Sequence, residues 1–210
     1  MTNPRTGNLS LEYRLVPAED VLKAYTIESA EYPESEAASL ENLVYRQQVA
    51  PLLFLGCYTH EQKDADNNNS NNMYNDEAAP TLIGYIVSTL SSDTSLTHSS
   101  MSTHDPQGSS VCIHSVCVTS AYQRRGIAIA MVKEYLKHLQ QHVHIPAIST
   151  SSDDSQELAD RNTNLVGVKR VLLIAHNELI GLYARAGFEL VGQSAVEHGP
   201  DPWYEMIYRL

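Results

Sequence analysis

The residues best suited to chemistry form the hexapeptide Gln123-Arg124-Arg125-Gly126-Ile127-Ala128. It lies between a β-branched run and an amphipathic stretch, at the point where a helix begins. There the first backbone N–H groups have no internal partners and the helix dipole favours an anion. A pyrophosphate fits that description. Gly126 lets the backbone approach phosphates closely, Ala128 is small for the same reason, and Arg124 and Arg125 can add charge-assisted contacts. The spacing matches neither the Walker pattern nor the Rossmann glycine fingerprint. An ordinary strand-to-helix turn with surface arginines would look the same on these six residues alone. His138, His142 and His144 have helical spacing for a metal, but no carboxylate or cysteine completes the set, and no metal is expected.

The elements that must position this turn can be read from periodicity. Leu11, Tyr13 and Leu15 alternate as a strand, and Val21, Ala24, Tyr25 and Glu28 follow at helical spacing after Pro17. Residues 36–48 make a second helix, with Ser35 available as its cap and Pro51 as its stop. Residues 52–58 and 82–90 are apolar runs that predict a hairpin. The strand over 111–118 feeds the turn and a helix with Ala128, Met131, Val132, Tyr135, Leu136 and Leu139 on its inner face. A strand over 168–174 leads to a helix over 178–186, capped by Asn177 and stopped by Gly187, and 188–192 with 204–208 close the sheet. The order predicts an α/β sandwich on a mixed central sheet of about seven strands, flanked by about four helices.

The 210 residues favour one domain with insertions. Segments 61–80 and 146–164, rich in Asn, Asp and Ser, read as flexible insertions without chemistry. A net charge of −11 argues against nucleic acid and anionic membranes as partners and suits cationic substrates better. The odd set Cys57, Cys112 and Cys117 reads as free thiols in a reducing compartment. The absence of a signal-like N-terminus and of a long apolar run makes a cytoplasmic protein the expectation.

Gln-x-x-Gly-x-Ala after a strand, then Asn177 roughly fifty residues on and Tyr183-Ala184-Arg185-Ala186-Gly187-Phe188, resembles the GCN5-related N-acetyltransferase (GNAT) superfamily. More narrowly, Ile27 to Tyr32, Ile113-His114-Ser115-Val116-Cys117-Val118 and Gly199 with Glu205-Met206 are similar to the arylalkylamine N-acetyltransferases and their fungal, polyamine-acetylating relatives. The resemblance covers the chain apart from the two polar segments. It implies acetyl-CoA as co-substrate, with direct transfer to an amine in a ternary complex. By resemblance the cofactor contacts fall on Val116, Cys117 and Val118, on Arg124, Arg125, Gly126, Ile127, Ala128 and Ile129, and on Asn177 and Tyr183. A backbone N–H near Val118 would meet the thioester oxygen.

A primary amine of pKa about 10.4 is protonated at pH 7, and deprotonating it costs roughly 4 to 5 kcal/mol, so a general base is useful. His114 has a suitable unperturbed pKa and matches one of two histidines that the arylalkylamine enzymes use through water. A core histidine that is merely hydrogen-bonded is the alternative. Where those enzymes have the second histidine, this chain has Cys112, a poor base near pH 7. Tyr183 falls where the family's general acid protonates the departing thiolate, although its helical spacing with Leu179 and Ala186 also suits a core aromatic. The resemblance places Tyr32 and Pro33 over the acceptor, Ile174 beneath it and Trp203 on the closing hairpin. Glu34 and Glu36 could meet the distal charges of a polyamine, or simply start a solvated helix. The expected function is acetylation of a small arylalkylamine or polyamine. A protein lysine or N-terminal acetyltransferase and a non-catalytic acyl-CoA-binding module are the alternatives.

Overall fold

The computed structural model describes residues 9–60, 79–144, 165–197 and 199–210. The two polar segments lie outside these residues, except for Ala79 and Pro80. Nine strands are present among the described residues: β1 (Leu11–Leu15), β2 (Phe54–Thr59), β3 (Thr81–Ser91), β4 (Ser110–Val118), β5 (Val143–His144), β6 (Leu165–Val166), β7 (Arg170–Ala175), β8 (Glu189–Gln193) and β9 (Tyr204–Arg209). Seven of them form one sheet in the order β1-β2-β3-β4-β7-β9-β8, antiparallel except at β4 and β7, while β5 and β6 make a small parallel pair. The mixed seven-stranded sheet is the one expected.

Five α-helices are described: α1 (Val21–Glu31), α2 (Leu40–Val49), α3 (His98–Ser102), α4 (Ile127–His142) and α5 (Ile180–Arg185). On one face Met131, Val132, Tyr135 and Leu139 of α4 pack with Tyr183 and Ala186 against Ile83, Ile86, Val111 and Val118. On the other, Ala24 and Ile27 of α1 and Leu43 of α2 cover Phe54, Tyr58, Tyr85 and Cys117. Because both faces are covered, β2 is buried at every residue and reads as an unbroken apolar run.

Two helix starts differ from expectation. α2 begins at Leu40, with the Ser39 hydroxyl accepting from the Asn42 N–H at 3.2 Å. Ser35 does not cap it, because the Pro33 carbonyl takes the N–H groups of Glu36 and Ala37 in a separate turn. Likewise Asn177 caps nothing with its side chain; it opens a short 3-10 turn, Asn177–Leu179, that runs into α5. The fifth helix, α3, has no apolar period. It is held by a capping box in which Thr97 and Ser100 exchange side chain to backbone bonds of 3.0 and 2.8 Å.

Candidate active site

β4 and β7 pair in parallel only from Ser110 to Cys112 against Arg170 to Leu172, and beyond that they part. The parting begins at a β-bulge. Ile113 lies opposite Ser88 and Ser115 opposite the adjacent Val87, so His114 is the extra residue, the kind of irregularity that re-aims a side chain beside a site. Past the bulge, Val116 and Val118 pack toward α4 and Cys117 toward α1 and α2. With its side chain in that core, Cys117 can offer a ligand its main chain only. On the open side the Val116 carbonyl accepts from the Tyr32 hydroxyl at 3.1 Å.

At the end of β4 the chain turns into α4. Arg124 is the only non-glycine residue with positive φ among the described residues, at 60°, and Gly126 caps α4 at φ 80°. Alternating conformations of this kind turn successive N–H groups into one concavity. The first-turn amides of Ile127, Ala128 and Ile129 add to it, since α4 closes its first bond only at Ala130. A Cβ at Gly126 would meet no protein atom within 4 Å, so the space above it is open. Gln123 buckles the turn in place: its Nε2 donates to Glu31 at 2.9 Å and to the Val118 carbonyl at 2.8 Å, while the Ser120 N–H donates to Glu31 at 2.6 Å. Arg124 and Arg125 are exposed, the latter 5.4 Å over the Tyr122 ring. Ile127 is buried and contributes its amide, whereas Ala128 and Ile129 are half-buried. The turn thus presents a preformed concavity of N–H groups, of a kind suited to an anion, just after the end of β4.

A cavity of about 290 Å³ occupies the gap and brings together His114, Val116, Tyr183, Tyr32, Ile174 and Trp203. Pro33 and Asn177 are not part of it; they line a more open neighbouring cavity that shares Tyr32, Glu36 and His176 with the first. Tyr183 is fixed by the end of α5. The Gly187 N–H bonds the Ala184 carbonyl at 3.0 Å and the Phe188 N–H bonds the Tyr183 carbonyl at 3.1 Å, with Gly187 at φ 101° and the Phe188 ring edge-on to Tyr183. Burial, with the nearby Cys117 thiol adding to it, raises the Tyr183 phenol far above its ordinary value, so it stays protonated and able to donate.

His114 accepts from or donates to the Thr89 hydroxyl through Nε2 at 2.8 Å, while its Nδ1 is buried without a partner. Burial, then the Arg46 guanidinium, holds it well below the usual histidine value, so it is neutral at pH 7. Cys112 does not share the cavity. It is 0% exposed beside Leu96, Leu172 and Val196, and burial pushes its thiol up to about 12. It cannot stand in for a second base.

Two cavity residues, His176 and Arg46, carried no clear sequence signal, and a third, Glu36, is open in the sequence between a polyamine contact and a solvated helix start. His176, just past β7, contacts Glu36 at 3.2 Å and stacks on Trp203 with ring centroids 3.8 Å apart. Glu36 is therefore a paired, largely buried carboxylate and not a solvated helix start. Arg46 reaches the cavity from α2. Glu28, which is not among the cavity-lining residues, was visible as a carboxylate on a buried helical stripe. It binds Tyr85, the Ser115 hydroxyl at 2.8 Å and the Ala38 N–H at 2.9 Å, and so fixes the chain after α1 against β4. His138 and His142 bond the Leu52 and His138 carbonyls, and among the described residues no three ligating side chains gather around a metal position.

These depressed histidines make stability depend on pH. A histidine held below its unfolded value favours the fold while neutral, so its contribution is complete above about pH 6.5 and is lost as pH falls toward the folded value. His104 and His138 are lowered by burial as well, while Glu205, raised by burial, acts in the opposite sense. Urea unfolding is expected to show stability falling from pH 7 to pH 5, by up to ~1.4 kcal/mol per pH unit for each histidine. His114→Gln should flatten that slope; an unchanged slope would show that His114 is not held neutral.

A family model described as acetyltransferase (GNAT) family matches residues 24–163. Solved structures share the fold at low identity. The loading GNATL domain of CurA from Lyngbya majuscula is 14% identical, with a TM-score of 0.64, over 95% of this chain and 98% of that one. A phosphinothricin acetyltransferase from Sinorhizobium meliloti, solved with acetyl-CoA, is 12% identical at a TM-score of 0.55, over 95% and 88%. The ribosomal-protein-S18-alanine N-acetyltransferase of Escherichia coli is 11% identical at 0.54, over 95% and 94%.

Proposed function

Because the chain belongs to the acetyltransferase (GNAT) family, we propose that it moves an acetyl group from acetyl-CoA to the primary amine of a small molecule held in the gap between β4 and β7. The observation that carries this reading is that one strand, β4, parts from β7 beside the cavity containing Tyr183 and leads at its end into the N–H nest capped by Gly126. The nest suits the donor's pyrophosphate, and the free edge of β4 beyond His114 suits an extended amide-bearing arm such as pantetheine. The amine nitrogen attacks the thioester carbon, the carbon to sulfur bond breaks, and Tyr183 gives its proton or hydrogen bond to the departing thiolate. The amine proton leaves toward the neutral His114, through water.

Trp203, His176 and Tyr32 give the cavity aromatic walls, which favours an arylalkylamine as acceptor. The buried Arg46 on the same cavity disfavours a second ammonium there. A polyamine would have to place its second ammonium away from Arg46, toward Glu36 and Glu197 or in the outer cavity, where Glu31, Glu178 and Asp201 lie. Thiol release from acetyl-CoA, followed in parallel with tryptamine, phenylethylamine, spermine and a lysine peptide, tests the reading: the aromatic amines should turn over fastest, and turnover of the peptide alone would overturn it. His114→Gln should lower kcat/KM about a hundredfold at pH 7 and recover in part near pH 9, where more amine is already neutral. A pH-rate profile identical to wild type would remove His114 from the proton route.

A further inference from the structure

Acetyl transfer to a plain amine has no use for Arg46, and the fold has little use for it either. Arg46 as a whole is only 8% exposed, yet Nη2 makes one bond of 3.5 Å, to the Met101 carbonyl, and Nη1 is buried without a partner. No carboxylate of the described residues forms an ion pair with it. Burial lowers it to about 10, with Glu28 and Tyr85 opposing from a longer range, so it remains a cation at pH 7. A buried, unpaired guanidinium is among the costlier features a fold can carry, and its natural complement is an anion that docks.

Arg46 lines the same cavity as His114, whose Nδ1 is also without a partner. We propose that the acceptor is an amine that also bears a carboxylate, and that Arg46 is the receptor for that carboxylate. The inference rests on the amine-acetylating reading of the cavity and narrows its substrate to a zwitterion with an apolar or aromatic body. A planar carboxylate matches the guanidinium fork. Among the described lining residues Arg46 is the only lysine or arginine, one cation for one carboxylate, and the carboxylates Glu36 and Glu197 on the same cavity disfavour a more highly charged anion such as a phosphate dianion. Met101, Ile174, Val196 and Trp203 accommodate the body.

The test compares matched pairs: tryptophan with tryptamine for a carboxylate next to the amine, and 5-aminopentanoate with pentylamine for one at the far end. In the wild-type protein at least one carboxylated member should exceed its partner in kcat/KM by about tenfold or more, the worth of a charged hydrogen-bonded pair. In Arg46→Met that ratio should collapse toward one, and Arg46→Lys, which keeps charge without the fork, should fall between. Removing an uncompensated buried charge should also leave the melting temperature of Arg46→Met unchanged or raised. A ratio of one in the wild type, or one that survives Arg46→Met, overturns the proposal. Calorimetry with indole-3-propionate, which has no amine, separates this inference from the acetyltransferase reading. Binding to the wild type that is lost in Arg46→Met supports the carboxylate receptor even if no amine is acetylated, and in that case it is the acetylation reading that fails. No binding to the wild type, or equal binding to both, overturns the receptor.

Discussion

Replacing Tyr183 by Phe is expected to lower kcat by about a hundredfold or more, leaving the KM for acetyl-CoA within about twofold. The size of the loss follows from what the substitution removes. The ring sits on the last turn of α5, with its carbonyl engaged by the Phe188 N–H and its face against the Phe188 edge, and a phenylalanine keeps both contacts. The hydroxyl has no hydrogen-bond partner among the described residues, so its removal orphans nothing and should cost little stability. What disappears is a cavity-lining phenol that burial keeps protonated at any working pH and that, unlike the Tyr32 hydroxyl on the Val116 carbonyl, is not already committed to an acceptor among the described residues. A hydrogen-bond donor to a departing thiolate acts in the transition state, and its loss appears in kcat and kcat/KM together. Single-turnover measurement of thiol release decides the matter: an unchanged chemical step would take Tyr183 out of the mechanism.

Gly126→Asp is the second large effect, and it acts on affinity. A left-handed backbone at φ 80° is tolerated by Asp and Asn better than by other side chains, so the helix start should survive both. The new Cβ would point into open space, which is where the reading places the pyrophosphate. Gly126→Asp should raise the KM for acetyl-CoA by about a hundredfold, through steric loss together with charge repulsion at the nest. Gly126→Asn carries the bulk without the charge, and a roughly tenfold difference between the two would report the anion. Equal effects of the two substitutions would show that no anion binds there.

Much of the frame was legible because local chemistry and tertiary need agree. Gly187 followed by Phe188 predicts a left-handed helix stop, and the stop forms as it should, so Tyr183 could be placed on the last turn from sequence alone. The same held for Gly126, where turn, dipole and strand order coincide. Other features depend on contacts far apart in sequence. Ser35 and Ser39 are equivalent as caps until Pro33 makes its own turn and leaves Ser39 the role. His176 and Glu36 lie 140 residues apart and meet only once β7 and the segment before α2 are packed. Arg46 is half a polar helix by its neighbours, Tyr45 and Gln47, and nothing in its surroundings announces a buried guanidinium. α3 is missing from any periodic reading because Ser, Met and His supply it no apolar stripe.

The extra residue at position 114 also changes how the strand around it must be counted. Alternation assigns Cys112, His114 and Val116 to one side of a regular strand and Ile113, Ser115 and Cys117 to the other. In the folded chain the parity inverts at the bulge, so Cys112 shares a side with Ser115 and Cys117, while Ile113 shares one with Val116 and Val118. The bulge works as a frameshift written in space instead of in codons. Pairing His114 into a regular strand, with no bulge, would turn Val116 and Val118 toward Glu28 and the Cys117 thiol toward α4, whereas deleting this one residue would leave a regular strand with every downstream side chain on the side it already occupies.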